Sequence, residues 1–495
     1  MAQISSSPNK LLKTIFKNTG YVLGGNTILK VMNFLFSVFV IRRLGDDRFG
    51  QYSIVIAFVG IFQIIAEPGI SQFVMREIAQ NRSKTQSLFW NLIAVRCVLG
   101  LISIAVITFS AVLLNYSQEI VLGIFIYTLT FLLAAFQSPL QLLLTANERF
   151  DYVTIMNIIG QLLFIVFGVC FLFSGLSYVW LIVAGVVNFI GQIIIGFKAA
   201  SSLNLIETPV QISVRTWPQL IKNGIPFGII SLSLTIAFSV DTIILSRYVQ
   251  NNEVGWYNVA YNLIFSILFI SSSFKDAMTP SLAKAFVKSP DEVEKWYFRT
   301  VKAIMLVSLP IAVGGMLLAG KVVQFLYSES YLPASLALRI IIWDIPFLMF
   351  TSFGGNICTV IKQEKVGARI YFIAALSNIG LNLFIIPRFG YLGASATTVL
   401  TDLIASFQFY FFLKRKLNLP NIGSIMVRIV IASVGMGLVV YFCADIHLIF
   451  SILLGVGLYV ILIMALRLID ETEISFIQRI FAKLNAVLFH RGMRP

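Results

Sequence analysis

The sequence predicts an all-α polytopic membrane protein with about 14 transmembrane helices in two pseudo-symmetric six-helix lobes plus two extra helices, and three observations point there. Of its 495 residues, 58% are hydrophobic and 12% are charged, about half the charge of an ordinary globular domain. The mean hydropathy is +0.89. Apolar runs that meet the requirement of about 20 residues per span recur from end to end, and no polar stretch reaches the length of a soluble domain.

Taken in order, the spans fall near 19–41, 51–75, 87–113, 120–145, 153–173, 177–199, 222–245, 255–273, 299–320, 334–360, 367–387, 391–413, 424–444 and 447–467. A polar, basic lead enters the first span without a cleavable signal pattern, so that helix is expected to remain in the protein. The second span is interrupted by Glu67-Pro68-Gly69 and the tenth by Asp344-Ile345-Pro346. Proline removes a backbone hydrogen bond and kinks a helix. Such breaks expose carbonyls to a bound ion, act as hinges, or serve packing alone. After the last span, Ile477, Ile480, Phe481, Leu484 and Leu488 share one helical face, which predicts an amphipathic surface helix over 469–495, a short disordered tail being the alternative.

Basic residues set the orientation. With the N-terminus in the cytoplasm, 28 of the 37 Lys and Arg fall in inside segments. Six lie in outside loops: Arg42, Arg43, Arg48, Arg247, Lys321 and Arg388. Lys30, Arg96 and Arg339 lie within spans. An even helix count then puts both termini in the cytoplasm, at the cell membrane. The net charge of +15 is therefore topological; basic residues spread over many short loops do not make a nucleic-acid surface.

Cys97, Cys170, Cys358 and Cys443 stand singly in apolar runs, and His447 and His490 are the only histidines. A metal site or a His-based catalytic triad has almost no ligands to draw on. No G-x-x-x-x-G-K-[ST] phosphate loop occurs. The expectation is a non-enzyme with no catalytic residues, no metal and no cofactor.

An internal repeat organises the chain. "RRLGDDRFGQYSIV" from Arg42 matches "SRYVQNNEVGWYNVA" from Ser246 at an offset of 205, pairing Arg42 with Arg247, Gly50 with Gly255 and Tyr52 with Tyr257. Asn18 pairs with Asn223 at the same offset, and Leu176 with Leu392 at 216. Six helices per copy is an even number, so both copies enter from the same side and are related by an axis along the membrane normal. The expected division is an N-terminal lobe at 1–200, a cytoplasmic linker at 201–219, a C-terminal lobe at 220–416, and helices 13 and 14 at 417–468. Two like bundles facing a central cleft are the architecture of alternating access, so transport is the leading expectation.

The "RRLGDDRFGQYS" turn, the "AEPGI" break and the "GYLGASATTVLTDLI" entry to helix 12 resemble those of polysaccharide (O-antigen type) flippases of the multidrug/oligosaccharidyl-lipid/polysaccharide exporter superfamily. The resemblance spans residues 15–470. It implies a two-lobed flippase that carries polyprenyl-pyrophosphate-linked oligosaccharide to the outer leaflet, driven by an ion gradient. It also implies membrane lipid and glycan-assembly proteins such as a polymerase as partners.

Lys30 is the most informative intramembrane residue. Asn26, Lys30, Asn33 and Ser37 form one polar stripe on helix 1. A mid-membrane lysine costs about 2.5–3.5 kcal/mol, and from about 18 Å inside a helix it is hard to snorkel. A stripe facing a wet cleft, or an internal ion pair, removes that cost. In the flippase reading Lys30, Asn26 and Asn33, with Arg96 and Arg339, would bind the anionic head group; pairing of Arg96 with a carboxylate and snorkelling of Arg339 are the alternatives. A second stripe, Ser231, Thr235, Ser239 and Thr242, places Thr235 opposite Lys30 in the repeat. Asp241, Asp344, Asp402 and Glu67 are candidates for ion coupling, since a carboxylate in low dielectric takes up a proton or binds sodium. Each could instead be a structural partner for one of the basic residues. The rival functions are a peptidoglycan lipid flippase and a cation-coupled multidrug exporter of the same superfamily.

Overall fold

The computed structural model describes residues 8–81, 84–206, 210, 212–267, 290–417, 422–443 and 447–469. Among them the regular structure is helical, with no strand. The helices are α1 (Pro8–Leu44), α2 (Asp46–Ala66), α3 (Ile70–Gln80), α4 (Thr85–Leu113), α5 (Gln118–Ala146), α6 (Phe150–Phe173) and α7 (Tyr178–Ser202). There follow α8 (Trp217–Tyr248), α9 (251–267), α10 (Pro290–Leu326), α11 (Ala334–Ile341), α12 (Asp344–Val360), α13 (Glu364–Lys416), α14 (Gly423–Phe442) and α15 (Leu448–Ala465). Ten described helices are long and apolar enough to cross a membrane, and two bent pairs raise the number to twelve. One of the ten, α13, contains two expected spans, because Gly390 at φ 54°, ψ −138° breaks its helical path. Part of the expected eighth span, part of the linker and the expected amphipathic tail lie outside the described residues.

The chain forms two compact units. The first holds residues up to Asn262 with Leu326–Ala337 and Tyr371–Thr397. Within it α4, α5 and α7 pack side by side, α6 lies on α7 and α1, and α8 lies along α2 and α3. The second holds Leu263–Phe325, Leu338–Ile370 and Thr398–Pro495, with α14 on α15. Its core gathers Leu318, Ile429, Met436 and Tyr459, and the Tyr459 hydroxyl donates to the Leu306 carbonyl at 2.8 Å. Side chains such as Leu101, Phe109, Leu383 and Phe442 stand exposed on helix faces, a distribution suited to lipid rather than water.

Both proline breaks form where the sequence places them. α2 stops at Ala66, Gly69 takes the left-handed φ of 83°, and α3 starts at Ile70. A Cβ on Gly69 would strike the backbone of Gly224 and Gly228 on α8, so the break seats directly on a G-x-x-x-G surface. α11 and α12 meet at 45° just before Asp344 and Pro346.

Three arginines expected outside, against the charge bias, prove to cap helix C-termini. Arg42 donates to the Leu326 carbonyl at the end of α10, Arg43 to Leu172 in the last turn of α6 at 3.3 Å, and Arg247 to Leu114 at the end of α4 at 2.6 Å. Terminal carbonyls lack intrahelical donors and carry partial negative charge, so a guanidinium serves them well. Arg42 and Arg247 are repeat mates, and each caps a helix of the other copy. The same reciprocity governs the glycines: Gly50 lies against the Asn251 carbonyl, and Gly255, 205 residues on, lies against the Asp46 carbonyl. Asn251 also donates to Asp47 at 3.2 Å, and the Trp256 indole donates to Asp46 at 3.1 Å. Neither glycine has room for a side chain. Gly50→Ala should therefore lower stability in detergent by about 1–3 kcal/mol. Gly185→Ala, where nothing lies within 4 Å of an added Cβ, should leave it unchanged. Equal thermal melting of the two variants would refute the contact.

Candidate functional site: an intramembrane arginine and a buried aspartate hub

The α2–α3 break builds the first site. Ending α2 at Glu67 leaves the first amides of α3 without intrahelical acceptors. Glu67 reaches forward to fill that need: Oε1 accepts from the Ser71 amide and Oε2 from the Ser71 hydroxyl, both at 2.9 Å. The same carboxylate faces Arg96 on α4, with Nε to Oε2 at 2.8 Å. Arg96 is 6% exposed. Its Nε–H is not aligned for a hydrogen bond, and Nη1 donates to the Ser71 hydroxyl at 3.3 Å. Glu67 and Arg96 line a small cleft of about 90 Å³ together with Gln63, Tyr127, Thr130 and Phe189. A paired guanidinium and carboxylate thus meet the Gln63 amide and the Tyr127 and Thr130 hydroxyls within the helices.

The second site centres on Asp241 in α8, which is 1% exposed. Oδ2 accepts from the Tyr257 hydroxyl at 2.7 Å and Oδ1 from the Asn382 amide. Asn382 also donates to Asn378 Oδ1 at 3.0 Å, and the Thr397 hydroxyl donates to Asn382 Oδ1. One helical turn spaces Asn378 from Asn382, so both face α8 from α13. Next to them Thr242 donates to Asn258 at 3.2 Å. The result is a polar network around one carboxylate, in which Asp241, Tyr257, Asn378, Asn382, Thr397 and Thr242 are buried.

The remaining predicted residues are placed separately. Lys30, Asn26 and Asn33 are exposed on α1, and they are not among the residues lining the cleft. Arg339 is exposed on α11, Asp344 is buried in the first turn of α12, and Asp402 is half-buried on α13. In the α8 stripe, Thr235 and Ser239 lie against Gly60 of α2. Sequence reasoning passed over Ser71, Tyr257, Asn378, Asn382 and Thr397. The two asparagines carried a signal, since an i, i+4 amide pair within "LSNIGLNLF" has no reason to sit in hydrocarbon unless it is partnered.

Helices that cross a bilayer and converge polar groups on a cleft define a multi-pass membrane transporter fold. Residues 15–286 match the family described as polysaccharide biosynthesis protein, and residues 226–384 match MatE. The chain belongs to the polysaccharide biosynthesis protein family, within the superfamily of polysaccharide flippases and multidrug exporters. It is 22% identical to a putative O-antigen transporter of Shigella flexneri over 77% of this chain and 93% of that protein. It is 21% identical to a probable low-salt glycan biosynthesis flippase of Haloferax volcanii, over 75% and 77% of the two chains. An uncharacterized membrane protein of Methanocaldococcus jannaschii is 26% identical, but that match spans 52% of this chain and only 53% of the relative. Among solved structures, a lipid II flippase in an inward closed conformation superposes with a TM-score of 0.75 at 17% identity, over 89% of this chain and 97% of that one. An inward-facing multidrug transporter of the MATE family gives 0.63 at 16%, over 78% and 94%.

Removing a donor from a buried carboxylate leaves part of its desolvation uncompensated, about 1–3 kcal/mol. Tyr257→Phe should therefore destabilise the protein by that amount in a detergent melt, whereas Tyr441→Phe, at an exposed position, should not.

Proposed function

We propose that the protein flips a polyprenyl-pyrophosphate-linked oligosaccharide across the cytoplasmic membrane for surface polysaccharide assembly. The observation that carries this reading is Arg96, a buried guanidinium bordering a polar cleft at membrane depth. Paired with Glu67 the site is neutral, and its guanidinium retains donors that an anionic cargo can use. Similarity to an O-antigen transporter and a glycan flippase supports the same substrate class. Lys30, with Asn26 and Asn33, would meet the pyrophosphate elsewhere along its path, and Arg339 would do so near the outer surface. Lobes at 1–200 and 220–416 would rock about the cargo, with both termini in the cytoplasm as the basic residues favour.

Ion coupling would act through a carboxylate that gains and loses a proton or a cation. Asp241 is the strongest of the four candidates, because Tyr257 and Asn382 already orient its oxygens. Asp344, Asp402 and Glu67 would then serve structure or gating. A peptidoglycan lipid flippase is the second reading. The lipid II flippase fold favours it, and the same pyrophosphate chemistry would serve it.

Mass spectrometry of polyprenyl-linked glycans in depleted cells tests the function. Build-up of one oligosaccharide-pyrophosphate-lipid on the cytoplasmic side supports it and names the cargo. No build-up, with greater sensitivity to cationic toxins, would turn the assignment to export. Lys30→Ala should keep the protein abundant while slowing flipping at least about tenfold, the loss expected for one charge-assisted contact. Full activity in that variant would remove Lys30 from the path. Asp241→Asn should make flipping in proteoliposomes insensitive to an imposed proton or sodium gradient; retained sensitivity would move the coupling role to another carboxylate.

A further inference from the structure

Building on the reading of Arg96 as a pyrophosphate ligand, we propose that Glu67 is an internal substitute for the substrate's anionic head group. It pairs with Arg96 in the unloaded protein and gives Arg96 up when a pyrophosphate arrives. Three observations on this pair carry the idea.

The guanidinium is under-used. Arginine has five N–H donors, yet the described residues provide Arg96 with one hydrogen bond, from Nη1 to Ser71, while Nε–H stays buried without one despite the 2.8 Å approach of Glu67. The pairing is thus Coulombic, without the two parallel bonds that make an arginine–carboxylate pair strong. A phosphate, with more oxygens and more charge, can make them.

Glu67 has somewhere to go. Both its oxygens already accept from Ser71, so losing Arg96 does not orphan the carboxylate. Its side chain is 13% exposed on a cleft that it lines. Arg96 has an anionic partner in both states, and Glu67 keeps Ser71 as its donor when displaced. Arg96 alone would be an uncompensated buried cation; paired with Glu67, or with a pyrophosphate, it is neutralised. Displacement then becomes a filter. A neutral lipid cannot compete with the carboxylate, a monophosphate competes weakly, and a pyrophosphate competes well. The exchange also reaches the backbone, because Glu67 ends α2 and caps α3 where the break rests on Gly224 and Gly228.

Calorimetric titration of the full-length protein in detergent with farnesyl pyrophosphate, farnesyl monophosphate and farnesol tests this. Glu67→Gln keeps an acceptor oxygen for the Ser71 amide while removing the competing charge. It should bind farnesyl pyrophosphate about tenfold tighter than the wild type and discriminate less against the monophosphate. Arg96→Gln should lose binding in either background. In the wild type, farnesyl pyrophosphate should bind more tightly than farnesyl monophosphate, since only the stronger anion displaces the carboxylate. Unchanged or weaker binding by Glu67→Gln, with Arg96→Gln still inactive, would overturn the substitute role alone. Wild-type binding that survives Arg96→Gln, or no wild-type binding, would overturn the reading of Arg96 itself. If Glu67→Gln does not fold, the wild-type titrations decide: equal affinity for farnesyl pyrophosphate and farnesyl monophosphate refutes the proposal.

Discussion

Hydrocarbon offers no water to complete an interrupted hydrogen-bond ladder, so every helix break at membrane depth must bring its own replacement partners. Much of this structure follows from that constraint. The Pro68 break frees amides that Glu67 takes up through Ser71. The left-handed Gly69 lets the break lie flat on α8. Where helices simply end, Arg42, Arg43 and Arg247 supply the missing donors to Leu326, Leu172 and Leu114. Three of the six residues that look like exceptions to the charge bias of the loops are therefore part of the helix-ending machinery.

The reciprocal contacts have a further consequence. Arg42 and Arg247 each serve the other copy of the repeat, as do Gly50 and Gly255. An interface in which each half repeats the other's contact is the intramolecular form of a two-fold dimer contact. It closes cleanly because each partner offers the same short side and the same carbonyl. Glycine is required there because two backbones approach with no space for a Cβ.

Charge inside the membrane is handled in two ways. Arg96 is balanced by one carboxylate that also does a backbone job, which leaves guanidinium donors in reserve beside a cleft. Asp241 is held by neutral donors, a phenol and an amide that is itself held by a second asparagine and a threonine. The first arrangement ties an ion pair to a helix break. The second fixes both carboxylate oxygens by hydrogen bonds drawn from two other helices.

The helical class, the two proline breaks and the membrane setting were all legible in the sequence, because each is written in local signals: apolar run length and imino acids. Membership of the polysaccharide biosynthesis protein family was legible for the same reason. The pairing of Glu67 with Arg96 was not, as the two are 29 positions apart and either could have served other partners. Nor was the cage around Asp241, whose donors come from α9 and α13, up to 156 positions away in the chain. The sequence by itself determined which charges would be held in the membrane and that they would need company, since the cost of an unpartnered charge in hydrocarbon depends only on composition and depth. Which groups keep that company was decided by the tertiary structure alone, because hydrogen bonds and ion pairs act over a few ångströms and only helix packing brings residues so distant in sequence within that reach.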